Sequence, residues 1–412
     1  ELADLRGRGL YLPLLGSGFG AGSRVELADG SWKLDFIGGI GPLLFGHGDP
    51  DLLRVALEAA LTGPPNQGHL QPGPEYLSLG RALAPDRSAR LRYAWICNSG
   101  TMANEFALKA VRQKRAGAAK IVAFEGAFAG RSTLTQEITD RPEYREGQPL
   151  TGDVLRIPFF DPEDDGSVRR SADAFNALLA RHGREIACLM VEFVQGEGGL
   201  HAAPRDFFLP LFEAAREAGV AILADEVQTF GRTGELYAYE KLGLGDWVDV
   251  VTVGKVLQCA AVLFTEEMNP RPGLVSATFA ASTVPMAVGA RIVERLRTED
   301  FLGPRGRFAA IERMVLASFE EMRRSLEPHV DAFGALGAMA WLRPFGGDPD
   351  KVKAVVREAY RRGLLVFTCG RRNERVRMLL PGGVMTDEEW REGAAILAGA
   401  IEAVAKADAH AV

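Results

Sequence analysis

The chain has 412 residues, of which 47% are apolar and 25% charged, enough for two or three domains with a large buried core. That length excludes a small disulfide-stapled scaffold, and the ordinary composition excludes a disordered or fibrous chain. A formal charge of −6 without a long basic block argues against nucleic-acid binding and for a small-molecule partner.

The first patterned stretch, Gly16-Ser17-Gly18-Phe19-Gly20-Ala21, matches the loose G-x-G-x-x-G/A dinucleotide pattern. A proline lies shortly before it and a hairpin follows it, so the dinucleotide reading is a poor one. The hairpin is predicted over residues 25–35, where apolar and polar residues alternate around Asp29-Gly30. From Leu52 the spacing becomes helical. Short apolar runs then recur at 121–124, 188–192, 221–225 and 248–253, separated by helix-like segments and each followed by a polar or Gly-rich turn. This alternation predicts an α/β sheet with ligand-facing residues at the carboxyl ends of its strands. Residues 291–326 and 387–405 have helical periodicity, with apolar runs at 338–342 and 364–367 between them, which predicts a second, smaller α+β domain. The stretch 346–350 is too short for a linker, and no internal repeat is present.

Four cysteines, Cys97, Cys188, Cys259 and Cys369, are scattered without C-x-x-C spacing, and the histidines lack H-E-x-x-H spacing. No metal is expected. With no run approaching about 18 apolar residues and no charged-then-apolar leader, the expected setting is the cytoplasm, away from membranes. Neither a G-x-x-x-x-G-K-[ST] phosphate loop nor a G-x-S-x-G elbow occurs.

Residues 93–97 read as a strand, Asn98-Ser99-Gly100-Thr101 as a turn, and 102–112 as a helix. Gly100 permits close backbone approach, while Thr101 and the N–H groups of the first helical turn suit a phosphate dianion. An ordinary threonine N-cap accounts for the same residues. Asp225 ends one apolar run and Lys255 another; by position alone they are equally well a structural ion pair.

Further motifs widen the context: Gly38-Gly39-Ile40-Gly41, Gly46-His47, 98–105 with Asn104-Glu105, Phe128-Ala129-Gly130-Arg131, 191–199 with Gln195-Gly196-Glu197-Gly198-Gly199, 224–234 with Asp225-Glu226-Val227-Gln228 and Gly231-Arg232-Thr233-Gly234, and Val253-Gly254-Lys255. In this order they resemble the class III, or omega-type, aminotransferases, which use pyridoxal 5′-phosphate and have the fold-type-I architecture. The resemblance covers nearly the whole chain. It implies a large domain with a mixed, mostly parallel sheet flanked by helices, and a smaller α+β domain. The divisions expected are 1–50, contributing to the small domain and the active-site entrance; 51–285, the cofactor-binding domain; and 286–412, the small domain.

The resemblance makes Lys255 the Schiff-base lysine and proton shuttle, and Asp225 the partner of the pyridine nitrogen. It gives Gly100 and Thr101 to the phosphate, Phe128 to one ring face and Gln228 to the ring hydroxyl; a core position is the alternative for Phe128. Thr278 is similar to a threonine that reaches the phosphate of a neighbouring subunit, which implies a homodimer with shared active sites. For substrates, Tyr11 resembles a residue for the donor's distant carboxylate, with loop packing as the alternative. Arg131 and Arg377 are similar to a pair that clamps a dicarboxylic keto acid, and Glu197 to a gate that masks Arg377, with surface charge pairing as its alternative. The chain departs from the family at Ala280-Ala281-Ser282, in the loop between Gln228 and Gly231, and after Lys255, where a glycine cluster is missing. This last segment looks more like lysine 6-aminotransferases than the acetylornithine or 4-aminobutyrate branches. The expected activity is ping-pong transfer of an amino group, from the terminal amine of a lysine- or ornithine-like donor to a keto acid such as 2-oxoglutarate. An aminomutase or racemase on the same fold, or a noncatalytic binding protein, are the alternatives.

Overall fold

Seven short runs, most rich in Val, Ile, Leu and Ala, become the strands of one sheet: β1 (Tyr93–Cys97), β2 (Lys120–Phe124), β3 (Val154–Ile157), β4 (Ile186–Val191), β5 (Ala221–Asp225), β6 (Val250–Val253) and β7 (Ala260–Phe264). Their spatial order is β1-β7-β6-β5-β4-β2-β3, with β7 antiparallel to both neighbours and every other pair parallel. Every residue of β4, β5, β6 and β7 is buried. Strands covered on both faces have no solvent side, which is why they read in sequence as unbroken apolar runs rather than alternating ones. Because β1 to β6 point one way, the residues following Cys97, Val191, Asp225 and Val253 gather along one edge.

The computed structural model describes residues 2–10, 12, 15–62, 70–86 and 88–411. Two compact units emerge, Asp51–Ala309 and the combination of Glu1–Pro50 with Ala310–Val412. The division falls at 309–310 rather than at 286, because the helix Thr283–Thr298 packs on the helix Pro74–Leu83 of the large unit. Residues 291–326, which read as one helical stretch, form two helices, Thr283–Thr298 and Arg307–Ser325. Between them Gly303 takes φ +82°, and a Cβ on Gly306 would collide with the Leu302 carbonyl.

In the smaller unit, Gly16–Ala21 is a strand paired antiparallel with Arg24–Leu27, so the glycine run is not a phosphate loop. Arg24–Leu27 pairs in turn with Trp32–Asp35, and Leu364–Leu365 joins Trp32–Asp35 in parallel. A second sheet has the order Val330–Leu336, Met339–Pro344, Arg375–Leu379, Phe367–Cys369. Trp390 packs between Phe36 and Phe319, with ring centroids 5.8 and 5.6 Å away. Among the described residues no helix is long and apolar enough to cross a membrane.

Candidate active site

The chemistry-bearing residues are placed first by strand register. Asp225 closes β5 directly opposite Thr252 of β6. Two residues past the end of β6 the chain turns sharply back into β7, and Lys255 takes φ +47° in that turn. A residue with a Cβ pays about 1–2 kcal/mol for the left-handed region, and such strain concentrates where a side chain must be aimed. The Lys255 Nζ donates to Gln228 Oε1 at 2.5 Å. The buried Gln228 Nε2 has no hydrogen-bond partner among the described residues.

A third element is the helix Gly100–Lys114 that follows β1. Its N-cap is Ser99, whose Oγ accepts the Met102 N–H at 3.3 Å, so Thr101 is not the capping residue. Gly100 and Thr101 supply two of the four N–H groups that a helix start leaves without an internal partner. Close packing requires the glycines here: a Cβ on Gly100 would stand 2.6 Å from Val227 Cγ1, and one on Gly130, at φ +125°, would fall against the Thr101 and Thr135 hydroxyls.

These residues surround a cavity of about 170 Å³ that also touches Asn104, Phe128, Glu192, Glu197 and Asp225. Two buried carboxyls face it. Asp225 Oδ1 accepts the Val227 N–H at 2.9 Å and Oδ2 the Asn104 Nδ2 at 2.7 Å. Burial lifts its pKa to about 6, against the opposing pull of these hydrogen bonds and of Lys255. Glu192 accepts the main-chain N–H groups of Phe128 and Gly196 at 2.9 and 3.2 Å. Burial, and then the Asp225 charge, raise it well above the ordinary carboxyl range. Glu226, next in sequence, is lifted to about 7 by burial. It accepts from Thr229 and from the Ala238 and Tyr239 N–H groups, anchoring the loop that carries Gln228.

The structure brings seven of the expected residues to this cavity: Gly100, Thr101, Phe128, Glu197, Asp225, Gln228 and Lys255. Phe128 is half-buried against the cavity rather than in the core. Arg131 is exposed, with its guanidinium 3.8 Å from the Tyr144 ring centroid, and does not line the cavity. Thr278 is also exposed and outside it. Arg377 is buried in the smaller unit, on the strand Arg375–Leu379. Tyr11 lies outside the described residues. Sequence reasoning missed Glu192 and Asn104 as site residues. Glu192 carries the same signal as Asp225, a carboxylate closing a buried strand, and Asn104 is a polar residue among the buried positions Ala103, Phe106 and Ala107 of its helix.

Comparison with known proteins now bears on the site. The model of the family "Aminotransferase class-III" matches residues 18–401. The chain belongs to the class-III aminotransferases. It is 32% identical over 362 residues to an acetylornithine aminotransferase of Mycolicibacterium smegmatis, covering 84% of each chain. It is 30% identical over 421 residues to a probable 4-aminobutyrate aminotransferase of Bacillus subtilis, covering 93% of this chain and 92% of that one. A lysine aminotransferase from M. tuberculosis has the same fold, with a TM-score of 0.86 at 22% identity over 98% of this chain and 99% of that one.

The aminotransferase is a pyridoxal-phosphate-dependent enzyme that transfers amino groups between amine donors and keto acids. Its residues fit that cofactor: an amine, a buried carboxylate, an orphaned buried amide donor and a glycine-edged helix start surround one cavity. Gly130→Ala tests the cradle. Forcing a Cβ into φ +125° against two hydroxyls is expected to cost the aminotransferase about 1–3 kcal/mol and to weaken cofactor binding at least about tenfold. Urea unfolding and equilibrium dialysis measure the two effects, and an unchanged denaturation midpoint would contradict this packing.

Proposed function

We propose that this aminotransferase takes the terminal amine of a lysine- or ornithine-like donor and passes it to 2-oxoglutarate. The observation that carries the transfer chemistry is the meeting of Lys255 and Asp225 in one cavity, from the ends of adjacent parallel strands; the donor rests on the likeness of the segment after Lys255 to lysine 6-aminotransferases. Bound pyridoxal phosphate supplies an aldehyde that condenses with amines and a cationic ring that accepts the electron pair of a broken C–H bond. The chain's own residues do the rest. Lys255 Nζ would hold the cofactor through its aldehyde and, once displaced by the donor's amine, would carry the proton to and from the reacting carbon. Asp225 would pair with the protonated ring nitrogen, the Gly100 and Thr101 N–H groups would bind the phosphate, Phe128 would cover a ring face, and Gln228 Nε2 would donate to the ring hydroxyl.

Of the expected substrate residues, Arg131 receives a carboxylate of the keto acid. The stacking of Arg131 on Tyr144 supports its share of this role, because it leaves the edges of the guanidinium open to a bidentate carboxylate. A homodimer completes the site, with Thr278 of each chain serving the other. Supporting it, Leu53, Leu57 and Leu61 form an exposed stripe at i, i+4 and i+8 of the helix Pro50–Leu61, 52%, 67% and 87% exposed. Phe279, beside Thr278, is also exposed. Leu57→Glu is therefore expected to produce monomers by light scattering and to lose more than about tenfold in activity; a fully active monomer would refute the shared site. The four free, buried cysteines support a cytosolic location.

The deciding experiment mixes the loaded enzyme with a panel of amino acids and diamines and follows the cofactor's absorbance alongside keto-acid consumption. Lysine or ornithine should convert it stoichiometrically, and 2-oxoglutarate should restore it. Reaction with neither donor would overturn the substrate assignment, and isomerisation without consumption of keto acid would replace transfer by mutase chemistry.

A further inference from the structure

The register that sets Thr252 opposite Asp225 puts both side chains on one face of the sheet. The helix Gly100–Lys114 lies against that part of the sheet and buries Asn104 there, 1% exposed. Thr252 Oγ1 donates to Asn104 Oδ1 at 2.7 Å. The Ala129 carbonyl and the Asp225 carboxylate can only accept, so they fix Nδ2 on their side, and the Thr252 hydroxyl supplies the donor that Oδ1 then needs. The two Nδ2 protons go to Asp225 Oδ2 at 2.7 Å and to the Ala129 carbonyl at 2.8 Å. The amide is thus fully used.

Glu192, the second carboxyl on the cavity, has main-chain donors and no side-chain donor of this kind among its hydrogen bonds. Lys255 and the Thr252 hydroxyl also pull Asp225 down, whereas Asp225 and Glu197 push Glu192 up. Two carboxylates in one dry site do not both ionise without a large penalty, so whichever receives the better donors keeps the charge. We propose that Asn104, held by the Ala129 carbonyl and the Thr252 hydroxyl, is a positioning residue that assigns the negative charge of this carboxyl pair to Asp225 and leaves Glu192 neutral. The inference rests on the reading of Asp225 as the partner of the cofactor's ring nitrogen, and it identifies what makes that aspartate, rather than its neighbour, the anion.

The test measures the dissociation constant of pyridoxal phosphate for the apoenzyme as a function of pH in the wild type, Thr252→Val, Thr252→Ser and Asn104→Ala. Without the threonine hydroxyl the buried Oδ1 of Asn104 loses its donor, the amide is held less firmly against Asp225, and the hydroxyl's own pull on Asp225 is lost. Thr252→Val is therefore expected to weaken binding about tenfold at neutral pH and to move the acid limb of binding up by about one pH unit. Thr252→Ser should restore both, and Asn104→Ala should shift the limb in the same direction. A purely structural role would lower the melting temperature and leave the acid limb in place. That outcome, or a serine variant no better than the valine one, overturns the proposal. Asp225→Asn, measured alongside, separates the two failures. If it binds cofactor as the wild type does, the role of Asp225 is wrong and the inference falls with it. If it loses binding while Asn104→Ala leaves the limb unmoved, the inference about Asn104 alone is refuted.

Discussion

Lys255→Ala is expected to retain bound pyridoxal phosphate and to lose turnover by about four orders of magnitude, the upper end of what one positioned proton carrier contributes. Retention follows from the number of separate holds on the cofactor: the helix start at Gly100 and Thr101, the Asp225 carboxylate and the Gln228 amide all remain around the cavity. Turnover is lost because no other amine among the described cavity residues can replace the Nζ that sits 2.5 Å from Gln228 Oε1. The backbone points the same way, since a lysine held at φ +47° in a tight turn costs energy that an ordinary surface position would not impose. Steady-state rates with the best donor, together with cofactor content by absorbance, are the measurements. Multiple turnover near the wild-type rate would remove Lys255 from the chemistry, and partial rescue by an added small primary amine would identify the missing group as an amine.

Asp225→Asn is expected to lower kcat by about a thousandfold at neutral pH, since a buried charge pair broken on one side loses roughly 3–5 kcal/mol. The same substitution should act oppositely on the stability of the apoenzyme. In the fold the Asp225 carboxyl is raised from its ordinary 3.8 to about 6 by burial. An acid shifted upward stabilises the fold while protonated; that contribution is complete below the ordinary value and is lost as pH rises through about 6. Asparagine carries no charge at any pH. Apo Asp225→Asn should therefore melt a few degrees above the apo wild type near pH 8, with the gap shrinking below about pH 6 and closing only near the ordinary value of 3.8. Differential scanning calorimetry of both apoproteins across that range measures it. Equal melting temperatures near pH 8 would show that the buried anion is not the cost described here. Loss of activity with a gain in apo stability is the signature of a group placed for catalysis.

The reading of the strands succeeded for a local reason. Strands β4, β5 and β6 are buried along their whole length, so their composition alone marks them, and a carboxylate or amine at the end of such a run stands out as Asp225 and Lys255 do. The hairpin around Asp29-Gly30 was legible for the same kind of reason, a turn chemistry carried by two adjacent residues. Helix ends were less legible. The helix expected from Met102 begins at Gly100, because the Ser99 cap depends on a side-chain hydrogen bond that spacing does not reveal.

From its sequence alone this protein was determined to be an α/β chain with a lysine and an aspartate at strand ends and a glycine-bearing helix start, since each feature depends on neighbours within a few residues. Only the tertiary structure decided that Glu192 shares the cavity with Asp225, that Thr252 and Asn104 aim a donor at one carboxyl and not the other, and that Arg131 stacks on Tyr144. Those facts join residues from about a dozen to more than a hundred positions apart or turn on the orientation of a single amide. Burial then converts such small differences in hydrogen bonding into a choice of charge, which no pattern along the chain encodes.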